Sequence, residues 1–211
     1  MKKTNSDLFD ILGTGSSSRD KFTHRPAVNI HELYLSGAIK APEEYVEWYD
    51  LIRNCTAQDI VKIYINSYGG DLFSAIQFLR VLRDTPATTM VSIEGACMSA
   101  ATIPFLVADQ VEVSPHSMFM FHNYSGGTIG KGGEMFEQLK HERVWSDKLL
   151  KDVYANFLTE SEIDDMLNNK DIWMDGEEVC ERLEKRMAII EAEEAEKAEA
   201  EGEAEKSESE E

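Results

Sequence analysis

Ser99, His122 and Asp171 are the residues whose types could together carry out acyl transfer. Ser99 stands in Glu94-Gly95-Ala96-Cys97-Met98-Ser99-Ala100-Ala101-Thr102, between the β-rich run Thr88–Ile93 and the apolar run Ile103–Ala108. A serine at a strand-to-helix junction, crowded by Gly and Ala, can be held on a sharp turn with its hydroxyl exposed. The helix starting there turns free N–H groups and a positive dipole end toward a developing oxyanion. Alone the signal is weak, because small residues ahead of a buried helix serve packing as readily as chemistry. A serine nucleophile also needs an imidazole to take its proton and an acid to orient that imidazole. Of the five histidines, His24 and His31 fall in the N-terminal arm and first strand, and His116 and His141 read as surface positions. Only His122 leaves a strand after Ser99. Asp171, in Lys170-Asp171-Ile172-Trp173-Met174, is the candidate acid, one among many in an acidic chain. Cys97 is a second nucleophile on paper, though a small buried hydrophobe suits its apolar neighbours better.

The elements that must position these residues follow from periodicity. Ala27–Leu35 reads as a strand, and Pro42 opens a helix through about Arg53 with Tyr45, Trp48, Tyr49 and Ile52 at helical spacing. Ile60–Ile65 is a short β-branched strand running into the turn cluster Asn66–Asp71. Leu72, Ala75, Ile76, Leu79 and Leu82 mark the next helix; Thr88–Ile93, Val111–Val113 and Met118–Phe121 are further strands. Strands alternating with helices call for an α/β domain with a mostly parallel sheet, whose chemistry gathers beyond the strands' carboxyl ends. Gly69-Gly70, Ser99 and His122 all follow a strand directly. The glycine-rich stretch Gly126–Gly133 reads as a flexible loop. Met135, Phe136, Leu139, Leu149, Leu150, Val153 and Phe157 stripe the long helix after it. Thr159-Glu160-Ser161-Glu162 spells a capping box for a short helix to about Asn168, and Asp175-Gly176-Glu177-Glu178 starts another.

Composition bounds the rest. The chain has 211 residues, enough for one domain with a proper core and appendages, with 42% hydrophobic residues and a formal net charge of −19. Residues 191–211 hold eleven Glu and two Lys, so roughly half the negative charge sits there. Acidity in both parts excludes nucleic acid as a natural partner. No run reaches the roughly 18 apolar residues of a membrane span, and the N-terminus lacks the apolar core of a secretory signal. Cys55, Cys97 and Cys180 are odd in number and far apart, which argues for a reducing compartment and against a disulfide framework or zinc site. No cofactor or metal is expected, and the cytoplasm is the default location. Three segments result: a mobile arm at 1–26, a folded domain at 27–186 and an acidic Glu/Ala-rich tail at 187–211, either a solvated helix or disordered.

Residues from about Val28 to Leu183 resemble the ClpP family, the proteolytic subunits of Clp proteases. Ile63-Tyr64-Ile65-Asn66-Ser67-Tyr68-Gly69-Gly70 is similar to the family's Y-I-N-S-P-G-G, with Tyr68 in place of proline. Gly95–Ala101 is similar to G-x-A-A-S-M-G and keeps the glycine and serine in register. Met118–Gly127 is similar to V-M-I-H-Q-P-x-G-G, with Asn123-Tyr124 for Q-P, and Asp171–Glu178 to D-R-x-M-S-A-x-E. The family's closing G-L-[VI]-D element is absent. The resemblance implies a spiral of βαβ units with a protruding handle helix over 133–158, opened by a strand and loop at 126–133. It implies Ser99 as nucleophile, His122 as general base, Asp171 as orienting acid, and the backbone N–H groups of Gly70 and Ala100 as oxyanion donors. It further implies homo-oligomeric, heptameric rings enclosing the sites, unfolded proteins or peptides as substrates, and an ATP-driven AAA+ unfoldase as partner. Two other readings share the fold: a phage head-maturation (prohead) protease, which the acidic tail would suit, and a crotonase-type acyl-CoA enzyme, which uses backbone oxyanion donors without a triad.

Overall fold

The computed structural model describes residues 28–208. The expected arm at 1–26 lies outside them. The sheet begins with β1 (Ile30–Ile39), β2 (Ile60–Gly70) and β3 (Thr88–Met98), which pair in parallel in that order. The first half of β3 pairs with β4 (Gln110–Val113) and its second half with β5 (Met118–Phe121), both parallel, so two short strands share one edge in tandem. Last comes β6 (Ile172–Asp175), antiparallel to β5. The helices are α1 (Val46–Arg53), preceded by a 3₁₀ turn from Pro42, α2 (Leu72–Asp84), α3 (Thr102–Val107), α4 (Gly132–Tyr154), α5 (Glu160–Leu167) and α6 (Gly176–Glu208).

Strand order rising in one direction, joined by right-handed crossovers, brings α1 and α2 to the same face of the sheet. That face is the core: Val61, Ile63 and Ile65 of β2 are fully buried, with Tyr49, Ile52, Ala75 and Phe78 opposite them. The other face is polar in the single chain. There Lys62 Nζ meets Glu112 at 2.8 Å, Tyr64 donates to Glu32 at 2.6 Å, and Tyr34 and Tyr64 stack. Burial in β2 therefore alternates along the strand instead of running through it, as a sheet covered on one side requires.

Most expected elements form with shifted ends. β1 runs from Ile30 to Ile39, and β2 and β3 continue through their turn clusters to Gly70 and Met98. Between the pairs Ile65–Ile93 and Ser67–Cys97 the register slips, since β3 spends two extra residues there. Asn66 Oδ1 accepts the Ala96 N–H at 3.0 Å and lies against Gly95, where a side chain would crowd it. This bulge carries β3 onward to deliver Ser99. Two expectations change. No strand forms within 126–133, and the long helix ends at Tyr154, with Phe157 and Leu158 tucked under it in a turn. The expected capping box is present at Thr159 and Glu162. The acidic tail continues α6 as helix to Glu208. Among the described residues no helix is long and apolar enough to cross a membrane.

Candidate active site

Strand pairing alone brings the three residues together. Met98 of β3 lies beside Met120 of β5, so one residue past each strand's end Ser99 and His122 emerge at the same end of the sheet. Phe121 pairs with Ile172 across the antiparallel β5–β6 ladder, so the next step outward sets His122 opposite Asp171. The side chains follow. His122 Nε2 is 2.6 Å from Ser99 Oγ, a short hydrogen bond, while His122 Nδ1 is 4.0 Å from Asp171 Oδ1. The first contact is formed and the second is at ion-pair distance, longer than a hydrogen bond. Exposure matches: the His122 side chain is 25% exposed, the Asp171 side chain 52%.

Ser99 is held in a backbone conformation that non-glycine residues avoid, with φ +55°. It opens the 3₁₀ turn Ser99–Ala101 that leads into α3. The glycines of β2 make room for it. Gly69 has φ +89°, and a Cβ there would come within 2.6 Å of Ser99 Cβ and 2.7 Å of the Met98 carbonyl. Gly70 has φ +149°, and a Cβ would collide with the Ile39 carbonyl oxygen. Asp71 donates its N–H to that same carbonyl at 3.0 Å. Amides alternate along a strand, so with the Asp71 N–H turned to β1 the Gly70 N–H faces away from it. Below this point Ser67 Oγ donates to the Gly37 carbonyl at 2.6 Å and accepts the Gly69 N–H at 3.1 Å.

Ser99 and His122 open into a cleft of about 660 Å³ bounded by Gly70, Ala100, Ser125–Gly127 and the middle of α4. Its walls are aromatic where Phe73 stacks on Trp145 at 5.8 Å and polar where Gln138, His141 and Glu142 face inward. His141, read from sequence as a surface position, is exposed but lines this cleft. The sequence signal that would have placed it there is its helical spacing from Gln138 and Trp145, which line the same cleft. Cys97 is fully buried, burial drives its thiol well above the ordinary range, and its Sγ lies 3.5 Å from the Ala101 carbonyl. It is packing, not a nucleophile. At the opposite end of the strands His31, Cys55 and Asp59 cluster. There the Asp59 carboxylate already accepts from Asn29 and twice from Thr56, and the Cys55 thiol donates to the Leu51 carbonyl. Those contacts hold Asp59 below the usual carboxylate range and tie the loop before β2.

A βαβ spiral that sets a serine and an imidazole in hydrogen-bond contact beyond the strand ends, beside Gly70, has the arrangement that acyl-transfer hydrolases of α/β fold use. The family profile for Clp protease matches residues 51–182, so the chain belongs to the Clp protease family, a family of peptidases. Among solved structures, 370 chains match. One is a mutant ClpP1 from Listeria monocytogenes, 18% identical, with a TM-score of 0.56 over 72% of this chain and 86% of that one. That likeness fixes the fold. No curated protein matches the chain.

Proposed function

We propose that this chain is a serine endopeptidase subunit that cuts extended, unfolded polypeptide inside a ring-shaped homo-oligomer. The observation that carries the reading is the 2.6 Å contact between His122 Nε2 and Ser99 Oγ on a strained turn beside Gly70. In this mechanism Ser99 Oγ attacks the scissile carbonyl while His122 Nε2 takes its proton. The tetrahedral oxyanion is met by the N–H groups of Gly70 and Ala100. His122 then protonates the departing amine, and water, deprotonated by the same imidazole, hydrolyses the acyl-serine ester. Asp171 orients the ring and balances the imidazolium, closing from 4.0 Å when substrate fills the cleft. The aromatic wall of Phe73 and Trp145 takes an apolar side chain next to the scissile bond. Rings of seven and an AAA+ unfoldase are carried over from the family resemblance, and a cytoplasmic setting from the number and spacing of the cysteines.

The acyl-CoA reading fares worse, since a crotonase-type site has no use for a serine hydrogen-bonded to an imidazole. Substitution tests the proposal. Ser99→Ala should abolish cleavage of a fluorogenic peptide while keeping the particle mass. A fluorophosphonate should label Ser99 in the parent and nothing in His122→Ala. Residual peptidase activity in clean Ser99→Ala protein, or labelling elsewhere, sinks the assignment.

A further inference from the structure

Behind Ser99 lies a buried hydroxyl pair that the reaction above does not use. Thr102 Oγ1 is 2.7 Å from the Ser99 carbonyl oxygen and 2.7 Å from the Tyr154 phenol oxygen. Thr102 has one hydroxyl proton and a carbonyl only accepts, so that proton goes to Ser99. The Tyr154 phenol must then donate to Thr102. The result is a directed chain from the last residue of α4 to the nucleophile's own carbonyl. Both side chains are sealed from solvent, Thr102 at 0% and Tyr154 at 1% exposure. Burial pushes the phenol up to about 12, so its proton stays in place throughout the neutral range. Tyr154 also packs edge-on against Phe121, the residue before His122, with centroids 5.6 Å apart. One side chain thus braces the supports of both reacting groups.

The consequence lies in the peptide that joins Ser99 to Ala100. A trans peptide is planar, and its C=O and N–H point in opposite directions. Anchoring the Ser99 carbonyl inward, on the Thr102 hydroxyl and also on the Thr102 N–H, turns the Ala100 N–H outward. Outward is the cleft, which Ala100 lines. We propose that Thr102 and Tyr154 are positioning residues that clamp the Ser99–Ala100 peptide plane and so aim the Ala100 N–H at the oxyanion. This rests on the reading of Ser99 as nucleophile and deepens it: oxyanion geometry is set from the end of the long helix through two hydroxyls. Any motion of α4 that shifts Tyr154 would reach the amide directly.

Three variants test this in the full-length protein: Thr102→Val, which keeps shape and drops the hydroxyl, Thr102→Ser, which keeps the hydroxyl, and Tyr154→Phe. Thr102→Val should lower kcat for a fluorogenic peptide at least about tenfold with KM changed less than about threefold. Thr102→Ser should recover most of it. Tyr154→Phe should fall in the same sense, and the Thr102→Val/Tyr154→Phe double variant should be no worse than Thr102→Val, as for one path. Affinity for a peptide boronate should fall in step with kcat/KM. Thr102→Val within twofold of the parent, or Thr102→Ser as slow as Thr102→Val, overturns the proposal. If Thr102→Val fails to fold, Tyr154→Phe decides, and an unchanged kcat there overturns it. Ser99→Ala separates the two levels. Activity surviving in Ser99→Ala defeats the nucleophile assignment itself, whereas a dead Ser99→Ala beside a fully active Thr102→Val defeats only the clamp.

Discussion

A serine at φ +55° costs free energy, on the order of 1–3 kcal/mol, that its surroundings must over-determine. Here the surroundings are Gly69, which yields the space, and Thr102, which holds the carbonyl. Gly69→Ala should therefore damage the site and the fold together. The added methyl would strain a φ of +89° and meet both Ser99 Cβ and the Met98 carbonyl, which is backbone and cannot swing away. We expect a loss on the order of 1–3 kcal/mol in thermal unfolding and near-complete loss of peptidase activity; an active Gly69→Ala protein of parental stability contradicts it. Asp171 makes a graded prediction. Half-exposed and 4.0 Å from Nδ1, it holds the imidazole less firmly than the 2.6 Å contact holds the serine. Asp171→Asn should therefore cost at least about tenfold in kcat yet remain measurably faster than His122→Ala. Equal rates for the two variants count against this ranking. At this scale the grouping of Ser99, His122 and Asp171 was legible from family-like motifs, and the structure brings the first two into contact and the third to 4.0 Å. Thr102 and Tyr154 were not, since their role depends on a contact across 52 positions between two apolar segments.

The elements are joined by a few polar ties whose strength depends on pH. Arg182 of α6 reaches back with two nitrogens to Glu162 of α5, at 2.8 and 2.9 Å, and to Glu178 at 2.8 Å. Glu162 also closes the capping box with Thr159. The Arg182 guanidinium, helped by the Thr159 N–H and hydroxyl, lowers the Glu162 carboxyl from 4.5 to about 2. A carboxyl lowered on folding adds stability that is fully present above its unfolded pKa and lost as pH falls through the folded one. The α5–α6 tie thus stays whole above about pH 4.5 and goes by about pH 2. Its contribution is bounded by about 3 kcal/mol from the shift and is smaller because solvent reaches the pair. Glu162→Gln should lower stability by about 1–2 kcal/mol at pH 7, and the gap to the parent should shrink below about pH 4.5 and close only as pH falls to about 2; a constant gap across that range rules the tie out. The capping box was legible because its residues are three apart on one chain. β6 was not, because four residues form a strand only with β5 as partner. The strand expected within 126–133 failed for the reverse reason: nothing among the described residues pairs with it.

At the scale of the molecule the unanswered surface is apolar. From its start to just past its midpoint α4 carries Phe136 at 66% exposure and Val144 at 69%, with Leu139 and Trp145 also exposed, whereas Leu150, Val153 and Tyr154 near its end are buried. A helix of 23 residues is about 34 Å long, so half of it stands clear of its own core. Its sequence stripe is as regular at Phe136 and Leu139 as at Leu150 and Val153, and periodicity therefore marks a buried face without saying which chain buries it. Clusters of this kind on a chain of net charge −19 are costly unless another surface covers them. The proposed ring assembly supplies that surface in a second copy of α4. In light scattering the particle mass should then be a multiple of 23.9 kDa. Phe136→Asp with Leu139→Asp, on the exposed stretch of α4, should reduce that multiple. Circular dichroism of the pair should remain that of the parent, since neither side chain helps fill the core. Peptidase activity should fall with the mass, because α4 bounds the cleft and carries Tyr154 at its far end. A fully active particle of 23.9 kDa, or a double variant that still assembles to the parental mass, removes the second copy from the account and leaves the exposed stripe for a different partner.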